Sequence, residues 1–145
     1  MITVREATLA DVARLAQILR DSPEAGSWSA ADLERSLAEP QRRCWVAEQD
    51  GGVLGLLLVQ YAAADETEIL TIAVDPATRR RGVASALLQA FLDNAKGRIF
   101  LEVRQSNTGV QRLYERFGFS RAGVRRLYYS SPPEDAVVMQ LSGDQ

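Results

Sequence analysis

The sequence predicts an α/β domain with a mixed, mostly antiparallel central sheet and helices on both faces. Three observations carry that prediction. Apolar residues switch between strand-like runs and helical spacing in the order strand, two helices, three strands, helix, strand, helix, two strands. Gln49-Asp50-Gly51-Gly52 is a tight-turn signal between two apolar runs, which makes the early strands antiparallel. The later strand–helix–strand passage between residues 68 and 104 calls for a crossover that covers the sheet with a helix.

Each element has its own reason. Ile2-Thr3-Val4-Arg5 alternates and starts the sheet. Thr8-Leu9-Ala10-Asp11 resembles a capping box and opens a helix to about Arg20, with Val12, Leu15, Ala16 and Leu19 on one face. Ser29-Ala30-Ala31-Asp32 is a second box; Leu33 and Leu37 lie one turn apart, and Pro40 closes that helix. Residues 44–48 and 53–59 flank the turn, and residues 68–74 form a further strand that ends at Asp75-Pro76. Val83, Leu87, Leu88, Phe91 and Leu92 stripe a helix from Gly82 to about Ala95. Residues 98–104 return to strand. Val110, Leu113, Tyr114 and Phe117 then mark a helix that Gly118 terminates. Segments 126–129 and 136–141 finish as strands, and Ser142-Gly143-Asp144-Gln145 reads as a loose tail.

A chain of 145 residues is the size of one compact domain, so residues 1–145 are expected to form a single unit. Lys plus Arg is 17 against 19 Asp plus Glu, which provides no basic field for nucleic acid. Histidine is absent, which removes Ser-His and Cys-His nucleophiles, His-ligated metals and an imidazole base. The single cysteine, Cys44, permits no internal disulfide or thiolate cluster and reads as a core residue of a buried strand. No metal site is expected. The N-terminus lacks the basic-then-apolar layout of a signal peptide, and no apolar run reaches membrane-spanning length. No membrane association is expected, and a cytoplasmic location is.

Three places can carry chemistry. In Arg79-Arg80-Arg81-Gly82-Val83-Ala84 a basic, Gly-containing turn opens a helix, where unpaired N–H groups suit a phosphate. The same residues also fit a solvated turn that merely starts a helix. It is not a nucleotide-hydrolysis loop, since no Gly-Lys-Ser/Thr follows. In the strand Leu101-Glu102-Val103-Arg104, Glu102 and Arg104 share a face, either as a surface pair or with Glu102 free for base work; Asn107 stands at a helix N-cap. Tyr114 is a core tyrosine, or a phenol able to protonate a departing thiolate.

Taken together these segments resemble the GNAT family of acetyl-CoA-dependent N-acetyltransferases over nearly the whole chain. The resemblance rests on Ile72-Ala73-Val74-Asp75-Pro76, the Arg79-x-x-Gly82-x-Ala84 loop, Leu101-Glu102-Val103-Arg104 with Ser106-Asn107, and Leu113–Phe119. Arg125-Arg126-Leu127-Tyr128-Tyr129 and Glu134-Asp135-Ala136 resemble the branch that acetylates the N-terminal alanine of a small-subunit ribosomal protein. The resemblance implies a GNAT-like fold, acetyl-CoA as co-substrate, direct transfer, and a ribosomal-protein N-terminus as partner. It implies that Arg79, Arg80, Arg81, Gly82, Val83, Ala84 and Ser85 hold the pyrophosphate and that Asn107 touches the cofactor. Ile72, Ala73 and Val74 would pair with the pantetheine arm, with the Val74 N–H on the thioester carbonyl. Glu102 would be the general base and Tyr114 the general acid. Ser27-Trp28 stands where that branch often has Pro-Trp, and Ser130 and Pro133 replace an expected Pro and Arg; these departures fall on the acceptor side. An acetyltransferase for another protein N-terminus or a small amine, and a non-catalytic acyl-CoA-binding domain, are the alternatives.

Overall fold

The computed structural model describes residues 1–142, so the expected tail from Gly143 on lies outside the described residues. Strands and α-helices follow the predicted order. The chain divides into two compact units: Met1–Tyr61 with Ile69–Ala95, and Ala62–Glu68 with Lys96 onward. Most strand pairs are antiparallel, as the sequence predicts.

The first unit contains β1 (Thr3–Glu6), α1 (Val12–Arg20), α2 (Ala30–Ala38), β2 (Arg42–Gln49), β3 (Gly52–Ala63), the C-terminal half of β4 (Glu66–Val74) and α3 (Val83–Leu92). Its strands run in the order β1-β2-β3-β4. The β2–β3 turn is the expected one: Asp50 and Gly51 both have positive φ, which matches the twist of a two-residue hairpin. β3 reads as one apolar run because both of its faces are covered. Leu56 and Leu58 join Cys44 and Val46 of β2 under Leu15, Ile18 and Leu19 of α1 and Leu33 of α2. On the opposite face Trp45 of β2 meets Phe91 of α3, ring centroids 5.5 Å apart. Helices therefore lie on both faces of this unit's sheet.

The second unit contains the N-terminal half of β4, β5 (Arg98–Arg104), α4 (Thr108–Arg116), β6 (Ser120–Ser130) and β7 (Pro133–Leu141), with strand order β4-β5-β7-β6. β4 and β5 pair in parallel, with Glu68 opposite Phe100, whereas β5 and β6 both flank β7 antiparallel.

Element ends depart from the predictions for local reasons. The Thr8–Asp11 box forms a 3-10 turn ahead of α1, because the Asp11 carboxylate that accepts the Thr8 N–H at 2.7 Å is also gripped by Arg5 of β1 at 2.9 and 3.0 Å. α3 stops at Leu92 rather than near Ala95, where Asn94 and Ala95 donate to carbonyls three residues back and tighten the last turn. β6 begins at Ser120, well before the aromatic segment. It is an edge strand exposed along almost its whole length, so it carries no buried face for alternation to reveal.

Candidate active site

In the first unit the predicted site residues cluster where β4 ends. Ile72 and Val74 are half-buried on one face of the strand, and Ala73 is buried on the other. A Cβ on Gly55 would stand 2.8 Å from the Ala73 carbonyl oxygen and 3.0 Å from Val83 Cγ1, so glycine lets this stretch pack closely. Asp75 braces the exit. Its backbone N–H donates to the Leu54 carbonyl at 2.8 Å, and its carboxylate accepts from Arg14 Nη2 at 2.6 Å and from the Ala77 N–H at 3.0 Å. The Arg14 guanidinium, helped by the Ala77 N–H, holds the Asp75 carboxyl below the usual carboxylate range.

From there the chain enters the arginine turn. Arg80 has φ 70° and Gly82 has φ 80°, so two residues of this short turn are left-handed, and Gly82 is the N-cap of α3. Left-handed residues beside a helix start turn successive N–H groups toward a common point, which is the geometry of an anion nest. No atom lies within 4 Å of a Cβ placed on Gly82, so this flank of the turn is open. Arg79, Arg80, Arg81 and Gly82 are exposed, Ala84 and Ser85 are half-buried, and Val83 is buried as the anchor. The Arg79 side chain is engaged by Glu24 Oε1 at 2.8 Å, so the donors that this turn leaves open are chiefly backbone ones.

In the second unit Glu102 lies on the face of β5 that also carries Phe100 and Arg104. A surface pair between Glu102 and Arg104, one of the two readings from sequence, is not what forms. Arg104 turns instead to Glu134 of β7 at 3.1 Å and to the carbonyls of Pro132 at 3.0 Å and Ser131 at 3.2 Å. Glu102 is 10% exposed and lies 3.7 Å from Arg125 Nη1.

Asn107 caps α4, its side chain accepting the Val110 N–H at 3.4 Å. Gln111 Nε2 donates to the carbonyls of Arg104 and Gln105 at 3.1 and 3.0 Å, which fixes the helix to the end of β5. Glu134 accepts the Ser106 N–H at 2.6 Å and so ties the β6–β7 hairpin to the same junction. Tyr114, one turn and a half along α4, is only 3% exposed and packs its ring against Phe119 at 5.2 Å. Burial drives its phenol well above the ordinary value, so it stays protonated at any working pH.

Cys44 offers no competing nucleophile. Burial pushes its thiol up to about 12, so the thiolate is scarce at neutral pH. Among the described residues no group of three acidic, Cys or His side chains is placed to hold a metal ion, and no helix is long and apolar enough to cross a membrane. Sequence reasoning took Arg104 as a surface partner of Glu102 and Arg125, Tyr128 and Glu134 as marks of the family resemblance, and gave none of them a chemical role. The paired tyrosines among arginines in a strand exposed to solvent were the available signal, since solvent-facing aromatics need a reason to be there.

The family model for the acetyltransferase (GNAT) family matches residues 12–119, and the chain belongs to that family. It is an N-acetyltransferase. Among its relatives, N-alpha-acetyltransferase RimI of Mycobacterium tuberculosis is 36% identical over 99% of this chain and 94% of its own length. The [Ribosomal protein bS18]-alanine N-acetyltransferase of Haemophilus ducreyi is 35% identical, covering 79% of this chain and 82% of the relative. Among solved structures, the ribosomal-protein-S18-alanine N-acetyltransferase from Escherichia coli superimposes with a TM-score of 0.89 at 29% identity, covering 100% of this chain and 96% of that one.

Proposed function

We propose that this enzyme acetylates the N-terminal alanine amine of a small-subunit ribosomal protein. The observation that carries the proposal is the near full-length similarity to the M. tuberculosis enzyme, together with the H. ducreyi relative whose name states that substrate. Residues 1–145 act as one acetyltransferase domain, in the cytoplasm, where ribosomal proteins and acetyl-CoA occur together.

In this reading the backbone N–H groups of residues 79–85 hold the pyrophosphate of coenzyme A, and Ile72, Ala73 and Val74 pair with the pantetheine arm. Asn107 adds a cofactor contact. The Val74 N–H points to the thioester oxygen and stabilises the oxyanion as the tetrahedral intermediate forms. A peptide α-amine has a pKa of about 8 and is mostly protonated at neutral pH, so attack needs a base. Glu102 takes that proton, directly or through a water, as the amine nitrogen bonds to the thioester carbon. Collapse of the intermediate breaks the carbon–sulfur bond, and Tyr114 gives its proton to the leaving thiolate. The acetyl group passes to the amine without an acyl-enzyme.

The test is acetylation of a peptide panel with acetyl-CoA, followed by mass-spectrometric assignment of the modified nitrogen. Acetylation of the α-amine of alanine-initiated peptides, and little of lysine side chains or polyamines, is the expected result. Preferential acetylation of a side-chain or small-molecule amine would overturn the substrate assignment.

A further inference from the structure

Two arginines of the second unit lie over tyrosine rings, and their charges are met differently. Arg104 lies 4.3 Å over Tyr129, and Glu134 accepts from it at 3.1 Å, as do the carbonyls of Pro132 and Ser131. Arg125 lies 4.5 Å over Tyr128, a ring that Tyr129 meets edge-on at 5.1 Å. The carboxylate opposite Arg125 is Glu102, whose Oε1 stands 3.7 Å from Nη1. That separation is beyond hydrogen-bond reach, so the guanidinium balances the charge of Glu102 without taking one of its oxygens.

An irregularity in β6 puts Arg125 in this place. Arg125 pairs with Ala136 and Tyr129 with Glu134, so residues 126, 127 and 128 face Asp135 alone. In a regular strand residues three apart point to opposite faces, whereas a bulge breaks that alternation and re-aims the side chains. Leu127, at its apex, has φ 49° and donates its N–H to Asp135 Oδ1 at 2.8 Å, which pins the distortion. Arg125 and Tyr128 therefore stack although they are three residues apart. The Arg125 side chain is 57% exposed against 10% for Glu102, so the cation is the solvent-facing member of the pair.

We propose that Arg125 is a specificity-determining residue: its charge beside Glu102 turns away acceptors with permanent or multiple positive charge and so favours a peptide α-amine over lysine side chains and polyamines. The inference rests on the reading of Glu102 as the general base and of an α-amine as the acceptor. A carboxylate standing alone attracts any ammonium group, and a polyamine most of all. Paired with Arg125 it attracts none of them strongly, and acceptors are then sorted by the fraction that arrives neutral. At pH 8 an α-amine, with a pKa of about 8, is roughly half neutral, whereas a lysine, with a pKa of about 10.4, is almost wholly cationic.

The experiment offers the enzyme an alanine-initiated peptide, an N-terminally blocked peptide with one lysine, and spermidine, each with acetyl-CoA at pH 8 and low salt. In Arg125→Gln the alanine peptide should keep its kcat/KM within about twofold. Spermidine, as substrate or as competitor of the peptide, should gain about tenfold, and the lysine peptide about threefold. A structural role in the hairpin would not produce gains graded by acceptor charge. These gains should fade at high salt, where an exposed charge is screened. Arg125→Lys, which keeps the charge, should hold the wild-type preference. An unchanged order of acceptors in Arg125→Gln, or equal losses for all three, would overturn the specificity role and leave Glu102 as the base. Wild-type turnover in Glu102→Gln would overturn the base reading, and this inference with it.

Discussion

The turn at 75–85 in the first unit and the face around Glu102 in the second are built from different materials. The turn is shaped by backbone: Arg80 and Gly82 are left-handed, Val83 is the buried anchor, and the Arg79 side chain is occupied by Glu24. The face is shaped by side chains. Arg104, Glu134, Gln111 and Arg125 bind β5, α4 and the β6–β7 hairpin together through charged and amide groups. Backbone donors suit a pyrophosphate because every such turn can supply them, whatever its side chains. Acid–base chemistry needs a particular oxygen in a particular place. The turn should therefore be sensitive to changes of conformation, and the face to changes of single atoms.

The largest expected effect is on the face. Glu102→Gln alters one atom and should lower turnover by about 10²–10⁴-fold with coenzyme A binding intact. The deficit should narrow as pH rises through the amine pKa of about 8, because the acceptor then arrives deprotonated. A pH–rate profile parallel to wild type across this range would reduce Glu102 to a strand carboxylate.

Tyr114→Phe comes next. It removes one oxygen from a buried ring and leaves the contact with Phe119, so the melting temperature and coenzyme A binding should hold while turnover drops by about a hundredfold. A thioester with a more acidic thiol should recover part of the rate, since its leaving group needs less protonation. Equal rates for variant and wild type, with chemistry shown to be rate-limiting, would remove the acid role.

On the turn, Gly82→Val introduces a branched side chain at φ 80°. The backbone must shift, and coenzyme A affinity measured by calorimetry should fall more than tenfold, about 1.4 kcal/mol or more. Arg80→Gly makes the opposite comparison, because it deletes a charge but suits the left-handed position. It should weaken binding less than Gly82→Val does. If Arg80→Gly were the more damaging of the two, side-chain charge rather than backbone geometry would be what binds.

The smallest effect is on stability. Asp75 titrates lower in the folded protein than in the unfolded chain, chiefly through Arg14. Its pairing therefore contributes fully above the unfolded carboxylate range and is lost as pH falls through the folded value. Asp75→Asn should destabilise the protein at pH 7 by no more than about 1 kcal/mol for a partly exposed pair, seen as a lower melting temperature, and the gap to wild type should shrink at a pH well below the ordinary carboxylate range. A gap of the same size at both pH values would assign the loss to packing.

The turn proposed to hold the cofactor was legible in outline because its signals are local. A strand that ends at Asp75-Pro76, a Gly-containing arginine turn and an apolar helical stripe all lie within residues 72–92, and the chain itself brings them together. The proposed base and acid, Glu102 and Tyr114, were legible only as residue types in the order that the family resemblance supplies. Periodicity alone placed Tyr114 in the core, where it is, and left Glu102 between a surface pair with Arg104 and a base.

What the sequence by itself determined is the succession of elements, the two-residue hairpin at Asp50-Gly51 and the glycine at the start of α3, since each depends on preferences among neighbouring residues. Only the tertiary structure decided that Arg104 is committed to Glu134 and the 131–132 carbonyls, that Asp135 pins Leu127 in a left-handed bulge, and that Arg125 stands beside Glu102. The physical reason is sequence separation. These partners lie on strands some twenty to thirty residues apart or across an irregular register, and no local propensity ranks one exposed arginine–carboxylate pairing above another until the strands are set side by side.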